Sequence, residues 1–532
     1  MGFSELLHTI GGMGNFQIFQ TALLLFPAVL IACHSFLQNF TAMTLGHHCR
    51  PANWTNGSHV PGGVGEGDLL GAFIPLDKDQ KPEPCLRFSE PHWQISNLND
   101  TSALSLDTEA CLDGWVYDRS VASSIVSEWD LVCEHKSLKS IAQSIYMTGQ
   151  LVGAIAFGIF SDRCGRKTAL QSGTLLMITM GTSAALAPSF PAYCVLRFLS
   201  GMAMTGIIIT SLSMEWTPTH RRTLVNIYAM YMITLGQVVL SGLAYLIRQW
   251  RWLQGTVSVA YVIILLYSWY VSSQTHSVLG TLALSGLSSW EVFADLRTVA
   301  RLNGRKEQGR KLTPEVCGRL PSVAERLERL LPLKRKANHG PPLEYEVNCW
   351  HLLSSRFSAG FSFYGLGLDV QKFGFNIYWT QVVFSVVDIP TKLLTGLSMG
   401  YFGRRITTVS LLLVAGCVIL VTAFLPQDMN TFQMILCLLG KGSLAGCFTC
   451  LYLFTMELFP TEVRQIGMSA GIFSTRLGSL LSPLVYILGN HSPGLQPVMF
   501  GLVPLLAAAA ASFLVETKNQ PLLNTIQETE QR

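Results

Sequence analysis

Long apolar runs alternate with short polar joints along most of this chain, and the length of the runs sets the fold class. The first, about 16–37, is long enough to cross a bilayer core, which takes roughly 20 apolar residues. Five more follow at about 140–160, 168–188, 191–213, 224–246 and 252–272. Six others lie at about 348–369, 374–399, 406–425, 432–455, 466–488 and 495–515. Lipid offers no hydrogen bonds, so runs of this length fold as helices that satisfy their own backbone. The pattern predicts an all-α membrane protein with 12 transmembrane helices. Residues 1–15 show no basic stretch and no small-residue cleavage site, so the first run is read as a retained helix that serves as its own insertion signal.

Two polar segments interrupt the series. Residues 39–137 hold four cysteines (Cys49, Cys85, Cys111, Cys133) and four Asn-x-Ser/Thr sequons, at Asn39, Asn53, Asn56 and Asn99. An even cysteine count with clustered sequons predicts an oxidised, glycosylated extracellular loop between helices 1 and 2. Three pairings of the cysteines are open. Residues 273–347 are strongly basic, with Arg297, Arg301, Arg305, Lys306 and Arg310 at their centre, and are read as a cytoplasmic linker. The short joints agree. Arg163, Arg166 and Lys167 share one side with Arg221 and Arg222, whereas 187–191 on the other side carries no charge. Basic joints stay inside, which puts the cysteine loop outside and both termini, 1–15 and 516–532, in the cytoplasm. The membrane halves are then 16–272 and 348–515.

Composition fits this division. Of 532 residues 49% are apolar and 13% charged, against about a quarter charged in soluble chains, and mean hydropathy is +0.36. A net charge of +4 suggests no nucleic-acid partner.

The two halves echo one another. Gly158-Ile-Phe-Ser-Asp-Arg-Cys-Gly-Arg-Lys167 lies between two apolar runs, and Gly400-Tyr-Phe-Gly-Arg-Arg405 does so 238 residues on. Glu215-Trp-Thr-Pro-Thr-His-Arg221 returns as Glu457-Leu-Phe-Pro-Thr-Glu-Val-Arg464, offset by 242. Nearly equal offsets indicate an internal duplication, the construction of many transporters. The Gly-x-x-x-Asp-Arg-x-Gly-Arg-Lys stretch resembles the loop between helices two and three of the major facilitator superfamily. That resemblance implies the major facilitator fold, with two six-helix halves.

A narrower resemblance rests on Met1-Gly-Phe-Ser-Glu-Leu-Leu7, Leu37-Gln-Asn-Phe-Thr-Ala42, Cys111-Leu-Asp-Gly-Trp-Val-Tyr-Asp118 and Glu516-Thr-Lys-Asn-Gln-Pro-Leu522. These are similar to the organic anion transporters, polyspecific facilitators of epithelia. The resemblance implies a plasma-membrane antiporter that exchanges an external organic anion for an internal dicarboxylate, with the lipid bilayer and N-glycans as its other partners. It implies no cofactor.

Charge inside a membrane run is costly and marks a partner or a wet cavity. Arg476 lies in the eleventh run with no acid within two turns, which suits an anion-facing guanidinium; the bland alternative is an acid on another helix. An arginine at this place also matches the resemblance. Asp388 and Lys392 are four apart in the eighth run, hence on one helix face. They either neutralise each other as packing or, as the resemblance implies, present Lys392 to substrate with Asp388 steadying it. Pro390 between them frees a backbone carbonyl, as in an irregular helix lining a cavity. By resemblance Tyr231, Tyr364 with Phe363, and Phe448 belong to the aromatic part of the pocket, and His34 and Ser35 are weaker candidates. Asp162, Arg163, Arg166, Lys167, Glu215, Arg222, Arg404, Arg405, Glu457 and Arg464 stand at helix ends on the basic side, where ion pairs would bias a gate.

Residues 273–294 and 318–361 depart from the family's pattern, and Arg356 in the seventh run follows Glu344 and Glu346 closely. Helix 7 is still expected, because without it Arg404 and Arg405 would face outward. The departures leave one alternative, a transport-impaired member acting as a binding or scaffold protein. A membrane enzyme is disfavoured by the lack of metal-spaced His/Cys sets, Gly-x-Ser-x-Gly or a phosphate-cradling glycine loop.

Overall fold

The computed structural model describes residues 15–50, 73–76, 82–89, 108–118, 122–211, 222–269, 344–368, 375–426, 429–459, 464–489 and 494–518. Twelve helices follow in the expected order. The first half holds α1 (Asn15–Phe36), α2 (Lys136–Cys164), α3 (Arg166–Ala185), α4 (Phe190–Ser211), α5 (Arg222–Leu246) and α6 (Trp250–Val259, continuing to Trp269 after a turn). The second holds α7 (Glu344–Leu368), α8 (Ile377–Tyr401), α9 (Arg404–Phe424), α10 (Asn430–Leu458), α11 (Arg464–Gly489) and α12 (Leu495–Ala511). Eight of them are long and apolar enough to cross a membrane by composition alone; α1, α3, α7 and α12 are not among these eight. Helix α8 runs on through Val387, whose backbone stays helical (φ −62°, ψ −26°), so Asp388 and Lys392 stand one turn apart on it.

The duplication read from two short echoes extends to the packing. Helices α1 and α5 pair as α7 and α11 do, α2 and α4 as α8 and α10, α3 and α4 as α9 and α10, and α3 and α6 as α9 and α12. The halves meet through α2 against α11 and α5 against α8, which a shift of six helices turns into one another. Both echo turns carry a glycine in the left-handed region, Gly165 (φ 87°) and Gly403 (φ 90°), which reverses the chain directly into the next helix.

Small residues set the closest crossings. A Cβ at Gly149 would enter the Phe198 carbonyl of α4, and one at Gly153 would lie 2.6 Å from the Met202 carbonyl oxygen. In membranes such close backbones supply van der Waals contact where no hydrophobic gain between helices exists. Gly149→Val is expected to destabilise by about 1–3 kcal/mol, the usual overpacking cost. Thermal unfolding of the purified chain should show it.

The segment after α1 folds into two antiparallel ribbons, β1 (His47–Cys49) with β4 (Trp115–Tyr117) and β2 (Leu86–Phe88) with β3 (Thr108–Ala110). Disulfides Cys49–Cys111 and Cys85–Cys133 select one of the three pairings. Arg87 bridges Glu109 at 2.8 Å and Asp113 at 2.5 Å, and the Asp113 hydrogen bond first, then Glu109, holds its guanidinium charged beyond the ordinary range. His47 stands beside Cys85 and Cys133, but their sulfurs are spent on the disulfide and bind no metal. A turn of helix, Ile125–Glu128, fastens this unit to the first half: Glu128 accepts from Trp250 Nε1 at 2.7 Å and pairs with Arg251.

One glycosylation candidate is overturned here. Asn39 sits in a helical turn (Gln38–Thr41), 7% exposed, its Nδ2 donating to the Gly367 carbonyl at 2.8 Å and to Gln381 Oε1 at 3.0 Å. An amide packed between the two halves has no room for a glycan. Asn53, Asn56 and Asn99 lie outside the described residues, as do residues 273–294 and 318–343.

Candidate functional site: a cationic, aromatic-lined cluster between the halves

Arg476 stands at the middle of α11, twelve residues from Arg464 and thirteen from Gly489. It is 9% exposed. Among the described residues its guanidinium makes one hydrogen bond, Nη1 to the Tyr364 hydroxyl at 3.1 Å, with the Tyr364 ring centroid 6.0 Å away, and no ion pair. The bland alternative, an acid on a neighbouring helix, is not what these residues show.

Aromatic rings continue from that point. Tyr364 meets Phe363 edge-on (5.6 Å), and Phe363 meets Phe448 of α10 in the same way (5.2 Å). Phe36, from the end of α1, stacks on Tyr364 at 5.9 Å and so brings the first half into the cluster. Ring faces and edges of this kind bury apolar area in fixed geometry, which suits an aryl group.

The charges on α8 and α10 differ from the expectation. Asp388 does not bind Lys392. Its two carboxylate oxygens each lie 3.3 Å from Nζ of Lys441, a residue the sequence reading missed, and both side chains are 1% exposed. Lys441 also donates to the Phe384 carbonyl at 2.7 Å and lies 5.3 Å from the Phe363 ring centroid. Lys392 reaches across the interface instead, donating to the Met230 carbonyl at 2.9 Å and Thr234 Oγ1 at 2.6 Å on α5. Asp388 and Lys392 lie one turn apart on the same stretch of α8; the short carboxylate meets Lys441 of α10, and the longer lysine chain extends to α5. Arg476, Lys441 and Lys392 with Asp388 leave two net positive charges in this core. A buried cation is expensive to hold; an excess of them is the condition under which an anion binds.

Other candidates lie elsewhere. His34 is buried within the first half, its Nε2 3.2 Å from Ser258 Oγ and its ring edge-on to Tyr261, and Ser35 bonds back to the Ile31 carbonyl. Neither joins the Arg476 cluster. Tyr231 is half-buried on α5 beside Met230. Arg356, on α7, is held by neutral acceptors, Thr455 Oγ1 (3.1 and 2.6 Å) and the Leu451 carbonyl (2.9 Å), so residues 344–361 of the departing segment pack as a helix.

The hydrogen bonds between the halves fall in two places. Asn39 to Gly367 and Gln381, Ser144 to Leu480 and Ser385 to Gln237 lie toward the disulfide-bearing face, and the Lys392 bonds lie at mid-depth. On the opposite face the described network stays within the second half. Arg404 Nη2 meets Glu457 at 2.8 Å, Thr517 Oγ1 donates to the other Glu457 oxygen at 2.7 Å, and Lys518 Nζ reaches the Tyr401 carbonyl. Glu516, also missed, caps α9 by accepting from the backbone of Arg404 (2.8 Å) and Arg405 (2.9 Å). Lys167 and Arg405 are exposed; the side chains of Asp162, Arg163, Arg166, Glu215, Arg222 and Arg464 lie outside the described residues. Glu516→Ala is expected to cost about 1 kcal/mol, as loss of an N-terminal cap does, read as a lowered midpoint of thermal unfolding, with Glu516→Gln losing less.

Residues 118–483 match the model of the Major Facilitator Superfamily. The chain belongs to that superfamily. Within it, the chain is 45% identical to mouse solute carrier family 22 member 20 over 542 residues, covering 100% of this chain and 94% of that protein. Human organic anion transporter 3 is 42% identical over 538 residues, again with 100% and 94% covered. These matches place it in the solute carrier 22 branch. Among solved structures, the inward-open xylose transporter XylE of E. coli superposes with a TM-score of 0.57 at 14% identity, covering 97% of this chain and 99% of that one, which supports the major facilitator fold.

Proposed function

We propose that this chain moves small organic anions, aryl or alkyl carboxylates and sulfate conjugates, across the plasma membrane by alternating access, in exchange for an intracellular dicarboxylate. The observation that carries the reading is Arg476, a mid-helix guanidinium that among the described residues bonds to a tyrosine hydroxyl alone, at the end of a run of aromatic rings. A carboxylate accepts a fork of two hydrogen bonds from such a group while its ring lies against Tyr364 and Phe363. Relatives named organic anion transporter 3, at 42–43% identity, support the substrate class. Two disulfides and the basic joints support an extracellular ribbon unit with both termini in the cytoplasm, and Asn53, Asn56 and Asn99 remain the proposed glycan sites.

The sealed disulfide face makes the described conformation one that is closed to the outside. Substrate leaving toward the cytoplasm and a dicarboxylate entering would occupy Arg476 in turn, and the Asn39, Ser144 and Ser385 bonds would part when the outer side opens. The scaffold alternative gains no support from α7, which is formed and packed. The test is uptake of labelled aryl carboxylates by cells expressing the chain, with and without preloaded dicarboxylate, and with surface protein measured separately. Uptake stimulated by preloading is the expected result. A protein that reaches the surface and carries none of the panel would sink the proposal.

A further inference from the structure

Among the described residues a second arginine, outside the cluster above, has no counter-charge. Arg197 of α4 is 0% exposed, and its Nε, Nη1 and Nη2 all lack a hydrogen-bond partner. Its guanidinium carbon lies 4.1 Å from the ring centroid of Tyr146 on α2. Attraction to one ring is smaller than the cost of stripping a guanidinium of water. No acid is at hand to make up the difference. Residues 15–41, 136–161, 166–211 and 222–269 contain no Asp or Glu. Asp162 at the far end of α2 is sixteen residues beyond Tyr146, about 24 Å along a helix.

The polar atoms around Arg197 are unsatisfied too. The Tyr146 hydroxyl lies beside Gln150 and the Tyr193 hydroxyl beside Thr41, yet neither hydroxyl nor either amide atom of Gln150 makes a well-formed hydrogen bond. The guanidinium acts electrostatically on Tyr193 and His34 as well. These groups include no carboxylate and are mainly donors, a set that water would solvate without neutralising.

The duplication shows what is missing. In the second half, the equivalent helix pair holds a cation from α10, Lys441, against a carboxylate from α8, Asp388. Counting back the 238 residues that separate the two glycine turns, Asp388 falls on Gln150; Lys441 lies 244 residues after Arg197. The first half therefore keeps the cation and carries a neutral amide where its repeat carries the acid. We infer that Arg197, Tyr146, Tyr193 and Gln150 form a binding site for a small inorganic monovalent anion of halide class, which takes the place of that carboxylate. It differs from the Arg476 site, which retains solvent exposure and borders it through Tyr146. The inference stands whether or not Arg476 binds the transported anion.

The test is thermal unfolding of the purified full-length chain in sodium gluconate, titrated with sodium bromide at constant ionic strength. The midpoint should rise with the logarithm of bromide, as for any ligand of the folded state, in wild type and in Arg476→Ala, and stay flat in Arg197→Gln. Gln150→Glu supplies the absent carboxylate, so its midpoint should be high in gluconate and insensitive to bromide. This variant keeps the question answerable if Arg197→Gln does not fold. A flat wild-type titration, meaning water alone fills the site, would overturn the inference, and so would a bromide response that survives in either first-half variant or vanishes in Arg476→Ala.

Discussion

Arg476→Asp should reduce uptake of labelled aryl carboxylates about a hundredfold or more while surface protein stays within twofold of wild type. The magnitude follows from what the guanidinium offers: truncating one member of a buried charged pair costs about 2–5 kcal/mol, and about 2.8 kcal/mol is a factor of a hundred. The substitution also takes the core of Arg476, Lys441, Lys392 and Asp388 from two net positive charges to none, so the cluster loses its reason to admit an anion. Folding should be spared, because among the described residues Arg476 makes one hydrogen bond, to Tyr364. Arg476→Lys keeps the charge and loses the fork, and should fall between. Tyr364→Phe removes one hydroxyl and should cost tenfold or less. Uptake by Arg476→Asp equal to wild type at equal surface protein would make Arg476 a packing residue and end the substrate reading.

The second large effect concerns stability. Asp388→Asn leaves Lys441, 1% exposed, with a charge and no carboxylate, and breaking a buried pair in this one-sided way costs about 3–5 kcal/mol. Surface delivery should collapse. Lys441→Met should do comparable harm by leaving Asp388 bare. Replacing both, Asp388→Leu with Lys441→Met, should recover at least half of the loss, since a well-packed apolar pair often equals a buried ionic one. Lys392 is not expected to fail with Asp388, because the Met230 carbonyl and Thr234 hydroxyl hold it. A double variant no better than either single one would show that the pair is not a unit and that Asp388 serves some other group.

These two cases differ in how far the residues betrayed themselves. Arg476 was legible because charge in an apolar run is rare and its neighbours in sequence offered no acid. The role of Asp388 was misread from the same kind of evidence. Four-residue spacing does put Asp388 and Lys392 on one helix face, but that face borders both α10 and α5, and each side chain takes its partner from a different neighbour. Lys441, 53 residues from Asp388, passed unnoticed in the tenth run although it is as buried as any cation here. The same signal that exposed Arg476 was present there, and so it was for Arg197. Asn39 shows the reverse error: a sequon is a local pattern, and burial between halves is not. His34 and Ser35, the weaker candidates, bond within the first half instead of joining the Arg476 cluster.

By itself the sequence determined the twelve runs, the cysteine-bearing segment, the duplication and the clustering of basic residues in alternate joints. Each of these depends on properties counted along the chain, run length, charge sign and recurrence, that lipid enforces locally. Tertiary structure alone decided which cysteines pair, which lysine Asp388 neutralises, that Glu516 caps α9, and which arginines are left with no carboxylate. Those outcomes depend on contacts between segments 48 to 112 residues apart, where the packing of neighbouring helices chooses the partner and no spacing in the sequence records it.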